Sequence, residues 1–443
     1  MNDLKRYLLS AAVVWMSTVA CGQDDWPQWR GSHWDSVSRS ELAADMGPDQ
    51  KPLWRVEMPG PAGSSPIVMG DRVFVTSSSG DQLVLLAVST DGTALWECEL
   101  GGQDRHIRMD NANLASPSPV TDGRHVWATS GAGVLNCFTL EGELVWRNDL
   151  QQTYGRFDIQ FGMSSTPILD QGRLYLQLLH GSMSDPAPGI AWLICLEAES
   201  GKELWKQHRT SDASAENKHA YTSPTIYRDE SREFLLIHGG DYLTGHALDD
   251  GRELWRCGGF NPKNNYNATL RLVASPTCVP GMIVAPSAKR GPVFCLKPDK
   301  LVGDVSNQSD AFHWKLDRGT PDVASPVIHQ GLVYLATESG TMTCVDAATG
   351  DVVYQERWFA DRHRSTPVAI GARLYLTTRD GKLLVIQAGT EPKKVLEIDL
   401  GEETTASPAV AHGRIYLRTF EALYAFGSAA TAHELQSEVS PVR

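Results

Sequence analysis

The 443-residue chain carries 40 Lys and Arg against 53 Asp and Glu, a formal net charge of −13, and is 42% apolar with 39 Gly and 24 Pro. Such an acidic balance lacks the basic surface that phosphate neutralisation demands, which argues against a nucleic-acid partner and offers no hold on anionic lipid. Runs longer than about seven residues keep meeting a Gly, a Pro or an Asp-Gly turn, so long helices are not expected.

The first 22 residues read as an export signal: Lys5 and Arg6 precede an apolar run over 7–19, too short to span a bilayer but of the length of a signal core. Cleavage after Ala20 or Gly22 is one outcome. Lipidation at Cys21 is the other, because Thr18-Val19-Ala20-Cys21 resembles a lipobox with Thr where Leu is usual. No other segment is long and apolar enough to cross a membrane, so the mature protein is expected to be exported, periplasmic or secreted. Residues 23–50 carry Trp26, Trp29 and Trp34, rings that should not stay exposed, and are expected to pack over one face of the domain or into a channel end.

From there the chain repeats. Ser-Pro or Thr-Pro dipeptides end at Pro66, Pro119, Pro167, Pro224, Pro276, Pro326, Pro367 and Pro408, with gaps of 53, 48, 57, 52, 50, 41 and 41 residues. A period near 50 suits a four-stranded propeller blade. Each copy continues with a turn and an alternating strand such as Val333-Tyr334-Leu335, and a third strand then ends in a tight Gly turn, as at Asp346-Ala347-Ala348-Thr349-Gly350. A fourth strand follows with a large ring: Trp96, Trp146, Trp205, Trp255, Trp314, Tyr354, and a degenerate Leu396. The eighth ring is Trp54, which precedes the first Ser-Pro, whereas the last copy ends near Phe426 with no Trp strand after it. The fold expected over 51–427 is therefore an all-β, eight-bladed β-propeller of four-stranded antiparallel blades, its last blade completed by the N-terminal strand. Closing the ring leaves no interior sheet edge unpaired. The Trp column reads as structural docking, one ring wedged between adjacent sheets. Residues 428–443 are Ala-, Ser- and Glu-rich and are expected to be disordered.

The cysteines follow the same alignment. Cys137, Cys195, Cys295 and Cys344 share one column with Ala87, Ala247 and Val385, while Cys98 and Cys257 each stand two residues past their Trp. Cysteines that exchange with Ala are small buried packers, and those in different blades lie too far apart to pair. Neither a Cys-x-x-Cys-His haem site nor a zinc-spaced Cys/His set occurs, so no metal is assigned.

Repeats reading Ser-Pro, Val-Tyr-Val, Cys/Ala-x-Asp-x-x-Thr-Gly-x-x-x-Trp resemble the tryptophan-docking repeat of pyrroloquinoline-quinone-like (PQQ-like) propellers, over about 53–427. Trp26-Pro27-Gln28-Trp29-Arg30-Gly31 and Asp322-Val323-Ala324-Ser325-Pro326 look like a large bacterial group of exported propellers. The fold also resembles the propeller lipoprotein of the outer-membrane protein assembly machinery, a scaffold without catalysis. The resemblance equally implies quinone-dependent alcohol dehydrogenases, whose quinone is covered by a disulfide between adjacent cysteines and held beside a calcium site of carboxylate and amide. No two of the eight cysteines here are neighbours. The expectation is therefore no cofactor, with PQQ and calcium as the disfavoured alternative.

In this architecture the connections from each Trp strand to the next Ser-Pro strand converge on the channel mouth, where a ligand would bind. They supply Arg108, Asp110, Asn111, Asn113, Asp158, Gln160, His219, Tyr221, Asn265, Arg271, Asp322, His363 and Arg364, with Lys289 projecting to the same side from between the second and third strands of blade five. Arg forks and Asn amides suit carboxylates, sulfates or sugar hydroxyls, and Tyr or Phe can stack on a sugar ring. The competing account is that these polar residues are solvated or satisfy backbone groups of the channel. His219 and His363 could act as acid–base groups, and Asp110 and Asp158 as paired carboxylates. No nucleophile elbow, phosphate-cradling Gly loop or His-Glu-x-x-His helix occurs, and no catalytic residue is assigned. The sequence reading is a monomeric, exported, non-catalytic scaffold binding a partner protein or polysaccharide. Its alternative is an enzyme acting on a polar or anionic carbohydrate, or a degenerate PQQ-dependent dehydrogenase.

Overall fold

A computed structural model of the protein describes residues 25–42, 46–47, 49–102, 113–185, 189–360 and 362–427. The export segment with Cys21 and the tail 428–443 lie outside the described residues. Eight antiparallel sheets form a closed eight-bladed β-propeller, and among the described residues helix is confined to a five-residue turn of α-helix and short 3-10 turns. None of these helices is long and apolar enough to cross a membrane.

Each blade grades outward from the axis. In blade six the strand Leu332–Ala336 is buried throughout, whereas the outer strand Val352–Arg357 is half-buried or exposed. Strands covered on both faces can be continuously apolar, and the alternation appears only where one face meets solvent. The eighth blade is completed by the strand Trp54–Glu57, which pairs with the last strand in the register Trp54↔Ala425, Arg55↔Tyr424, Val56↔Leu423 and Glu57↔Ala422. Blade four has a fifth strand, Gly303–Asp304, added in parallel along its outer edge.

The Ser/Thr-Pro column forms a closed belt around the channel. Proline holds the residue before it extended, so its backbone N–H points along the ring rather than into a ladder. Ser65 donates that N–H to the Ser118 hydroxyl, Ser118 to Thr166, Thr166 to Ser223, and Ser223 to Ser275, at 2.9–3.0 Å. Ser275 donates to Ser325, Ser325 to Thr366, Thr366 to Ser407, and Ser407 back to Ser65, at 2.9–3.1 Å. Eight otherwise orphaned buried donors are satisfied, and each bond joins one blade to the next.

The large rings make a second belt further out. The indole N–H groups of Trp54, Trp96, Trp146, Trp205 and Trp314 donate to the carbonyls of Thr90, Leu140, Ala198, Leu248 and Ala347, each in the following blade. The turn glycine beyond each carbonyl must be bare: a Cβ on Gly142 would stand 2.9 Å from the Trp96 ring, and one on Gly201 2.8 Å from Trp146. Trp255 differs. The segment between the last two strands of blade five contributes the parallel strand along its edge, and the indole lies instead over Gly245, where a Cβ would meet Nε1 at 2.0 Å. This corrects the cysteine column. Gly245, not Ala247, is the residue opposite Trp255, just as Cys137, Cys195, Cys295 and Cys344 stand opposite their own rings. All seven described cysteines are free thiols.

The N-terminal segment closes the channel from below. Trp26 bridges Val68, Pro27 accepts from Thr121, and Gln28 bonds Leu169. Arg30, fully buried, donates to Pro276 and Thr277, and Ser36 accepts from Ala369. These bonds reach the innermost strands of blades one, two, three, five and seven. Burial pulls the Arg30 guanidinium down to about 10, which leaves it charged at neutral pH and dependent on those oxygens.

Candidate functional site

A cavity of about 670 Å³ occupies the channel mouth above this plug. Three kinds of wall converge on it because each blade sends different loops upward. Arg271 comes from the connection into blade five, Arg362 and Arg364 from that into blade seven, and Arg379 from the turn between the second and third strands of blade seven. Phe161 and Tyr221 form an aromatic side, while Asn113 and Ser116 form a polar one. Trp29 of the plug is also part of the lining.

Among the described residues, four arginines and one carboxylate, Glu338, line the cavity of an otherwise acidic chain. Three of the arginines are oriented by partners that leave donors over. Arg271 bonds Glu216 at 2.7 Å and lies 5.2 Å from the centre of the Phe161 ring, a cation–π contact that fixes the fork. Arg364 approaches Glu338 at 3.4 Å and Arg379 approaches Glu403 at 3.8 Å, in both cases through Nε. Contacts of that length and exposure hold a side chain weakly, so an incoming carboxylate can compete for the terminal nitrogens.

The sequence candidates divide. Asn113, Tyr221, Arg271 and Arg364 line the cavity. Asn113 turns its amide oxygen to the backbone N–H of Ala115, and burial raises the Tyr221 phenol above its ordinary range. His219 and His363 are buried behind the wall. A ring nitrogen of His219 bonds the Gly181 carbonyl, and one of His363 bonds the Thr377 carbonyl. Burial lowers both, His363 to about 4, so each is neutral at neutral pH. Asp158 is exposed outside the cavity, and its backbone N–H bonds His180. Gln160 and Asn265 are likewise outside the lining. Lys289 and Asp322 meet one another on the same face, the Lys289 N–H donating to the Asp322 carboxylate at 3.0 Å, but neither reaches the cavity. Arg108, Asp110 and Asn111 lie outside the described residues. Sequence reasoning missed Trp29, Glu338 and Arg379 as lining. The last two sit in the same class of turn as Lys289, and extending that logic to blades six and seven would have found them.

A family model described as outer membrane protein assembly factor BamB matches residues 36–177 and again 133–378. The chain belongs to the BamB family. Among solved structures, BamB from Moraxella catarrhalis superposes with a TM-score of 0.60 at 12% identity, over 86% of this chain and 98% of that one. A quinohemoprotein alcohol dehydrogenase from Comamonas testosteroni superposes with a TM-score of 0.69 at 13% identity, over 92% and 81%. Likenesses at that identity speak for the fold alone. A polyvinylalcohol dehydrogenase from Pseudomonas sp. is 26% identical over 245 residues, which is 48% of this chain but only 36% of that protein.

That kinship makes PQQ, a planar aromatic tricarboxylate held with calcium, the cofactor to test against this BamB-family cavity. The arginines suit its carboxylates. The rest of the donor set does not suit the ion. Glu338 is the one acidic residue of the described lining and already faces Arg364, and no described group of three His, Cys, Asp or Glu could hold a metal. No cysteine lines the cavity to cover a quinone face. Among the described residues, the lining offers guanidinium and hydroxyl donors and aromatic faces, groups that suit oxyanions and polar rings.

Proposed function

We propose that this chain is an exported scaffold whose channel mouth holds an anionic segment of a partner protein or polysaccharide. The observation that carries the reading is the arginine wall, Arg271, Arg362, Arg364 and Arg379 facing one cavity of a chain with net charge −13. A field of one sign inside a concave, low-dielectric site selects ligands of the opposite sign, even when the whole molecule shares their charge. Membership of a family named for outer-membrane assembly supports a binding role, an exported location and a protein partner. The test is binding of carboxylated glycan arrays and acidic peptides by the mature protein and by Arg364→Ala with Arg379→Ala. The double variant should lose about tenfold or more in affinity. Equal binding by both proteins refutes the site.

The polyvinylalcohol dehydrogenase relative favours a second reading, a PQQ-dependent oxidation of alcohols. Titration with PQQ and calcium while following Trp fluorescence decides between them. A saturable quench that depends on calcium would support the dehydrogenase, and a flat trace would remove it.

A further inference from the structure

The cavity is a well with a floor, and the chemistry of the floor differs from that of the wall. Trp29 reaches the channel from the segment beneath it, with the Arg30 guanidinium 5.5 Å from its ring centre. Only a crevice of about 10 Å³, at the limit for one water molecule, separates Trp29, Gln28, Arg30 and Trp34 from the inner strands of blades three and four. The bonds of this segment to blades one, two, three, five and seven hold it across the channel as a floor.

Around Trp29 stands the hydroxyl belt. Each of its eight hydroxyls accepts a backbone N–H, yet among the described residues none donates its own hydrogen. Six of them, Ser65, Ser118, Thr166, Ser223, Thr366 and Ser407, line the cavity. A hydroxyl carries one donor besides its acceptor sites, so these six offer the cavity a circle of unused O–H donors.

We infer that the ligand is the end of a uronic-acid chain, inserted terminus first, its last sugar ring against Trp29 and its carboxylates on the arginines. The inference rests on the anionic-partner reading and adds the class and the direction of approach. A blind floor admits an end and refuses an internal segment. An aromatic face suits the flat C–H side of a pyranose ring, and O–H donors suit its ring and hydroxyl oxygens. The 670 Å³ volume lies within the range of small-ligand sites and accommodates a short oligosaccharide end. An acidic peptide would use the arginines but, where it lacks an aliphatic or aromatic face, would leave the Trp29 ring uncovered.

Trigalacturonic acid is the probe, titrated calorimetrically into the mature full chain, with its methyl ester, maltotriose and a glutamate-rich peptide as comparisons. Trigalacturonate should bind saturably, and the ester and maltotriose at least about tenfold more weakly. Trp29→Phe should weaken binding about tenfold with an unchanged melting temperature, and Arg362→Gln, at an exposed position held to the fold through its backbone carbonyl, should do the same if Trp29→Phe fails to fold. Polygalacturonate of increasing length should still take up one protein per chain. Uptake that grows with length overturns end-on insertion. Tight binding of the peptide without trigalacturonate overturns the sugar and leaves the anionic-partner reading standing. Binding of neither probe tells against that reading itself.

Discussion

The buried histidines give the sharpest energetic prediction. His363 is 0% exposed, bonds the Thr377 carbonyl at 3.0 Å through Nδ1, and leaves Nε2 without a partner. Burial lowers its pKa from 6.5 to about 4. The unfolded chain therefore takes up a proton below about pH 6.5 that the folded chain refuses until near pH 4. Stability is fully present above 6.5 and is lost as pH falls through that window. Between pH 7.5 and 5.5 one such group costs roughly 1 to 2 kcal/mol. His180, His238 and His246 are lowered to about 4 for the same first cause, desolvation. Together the four amount to roughly 5 kcal/mol, the size of a whole domain's margin. Urea unfolding followed by Trp fluorescence at pH 7.5, 6.5 and 5.5 measures it. His363→Gln keeps an N–H for Thr377 and should remove about a quarter of the histidine-dependent loss. Coincident pH slopes for wild type and variant would refute the reasoning, and with it the exclusion of His363 from proton transfer.

Three further outcomes follow from the belts and the closure. Ser118→Ala strips the acceptor from the buried Ser65 N–H and should cost about 1–3 kcal/mol by thermal melting, whereas Thr366→Ser should be close to neutral. Gly142→Ala combines a φ of +90° with a Cβ 2.9 Å from the Trp96 ring, and should lower stability by about 2 kcal/mol or more. Burial alone would raise the Glu402 carboxyl, but hydrogen bonds from Thr419, Tyr424 and Arg55 outweigh it and hold the group below its ordinary value. Its contribution is thus present above about pH 4.5 and lost on acidification. Glu402→Gln should flatten the acid limb and speed hydrogen exchange at Arg55 and Val56, the strand that closes the ring.

The repeat was legible because packing in a propeller is periodic. Every blade must offer a Pro-led inner strand, a turn glycine and a ring, so the constraint recurs in the chain at intervals the eye can count. The same alignment failed at Ala247 because it anchors on the acidic residue: counted back six residues from the turn glycine, Gly350 leads to Cys344, Gly201 to Cys195 and Gly251 to Gly245, the residue set opposite Trp255. The site was legible only by class. Loop composition marked Arg271 and Arg364 but equally His219 and His363. Whether a loop side chain faces the axis or turns back onto a carbonyl depends on how deep its loop lies and on what the next blade presents.

Composition and period, then, dictated the number of blades, the closing role of Trp54 and the free state of the thiols, because each follows from one repeating unit. The tertiary structure alone decided that the Ser/Thr-Pro hydroxyls link into a circle through backbone N–H groups, that Trp29 lines the cavity, and that among the described residues four arginines share it with one glutamate. Those facts depend on residues as far apart as Ser65 and Ser407 being brought within 2.9 Å. No property of either residue alone could announce that meeting.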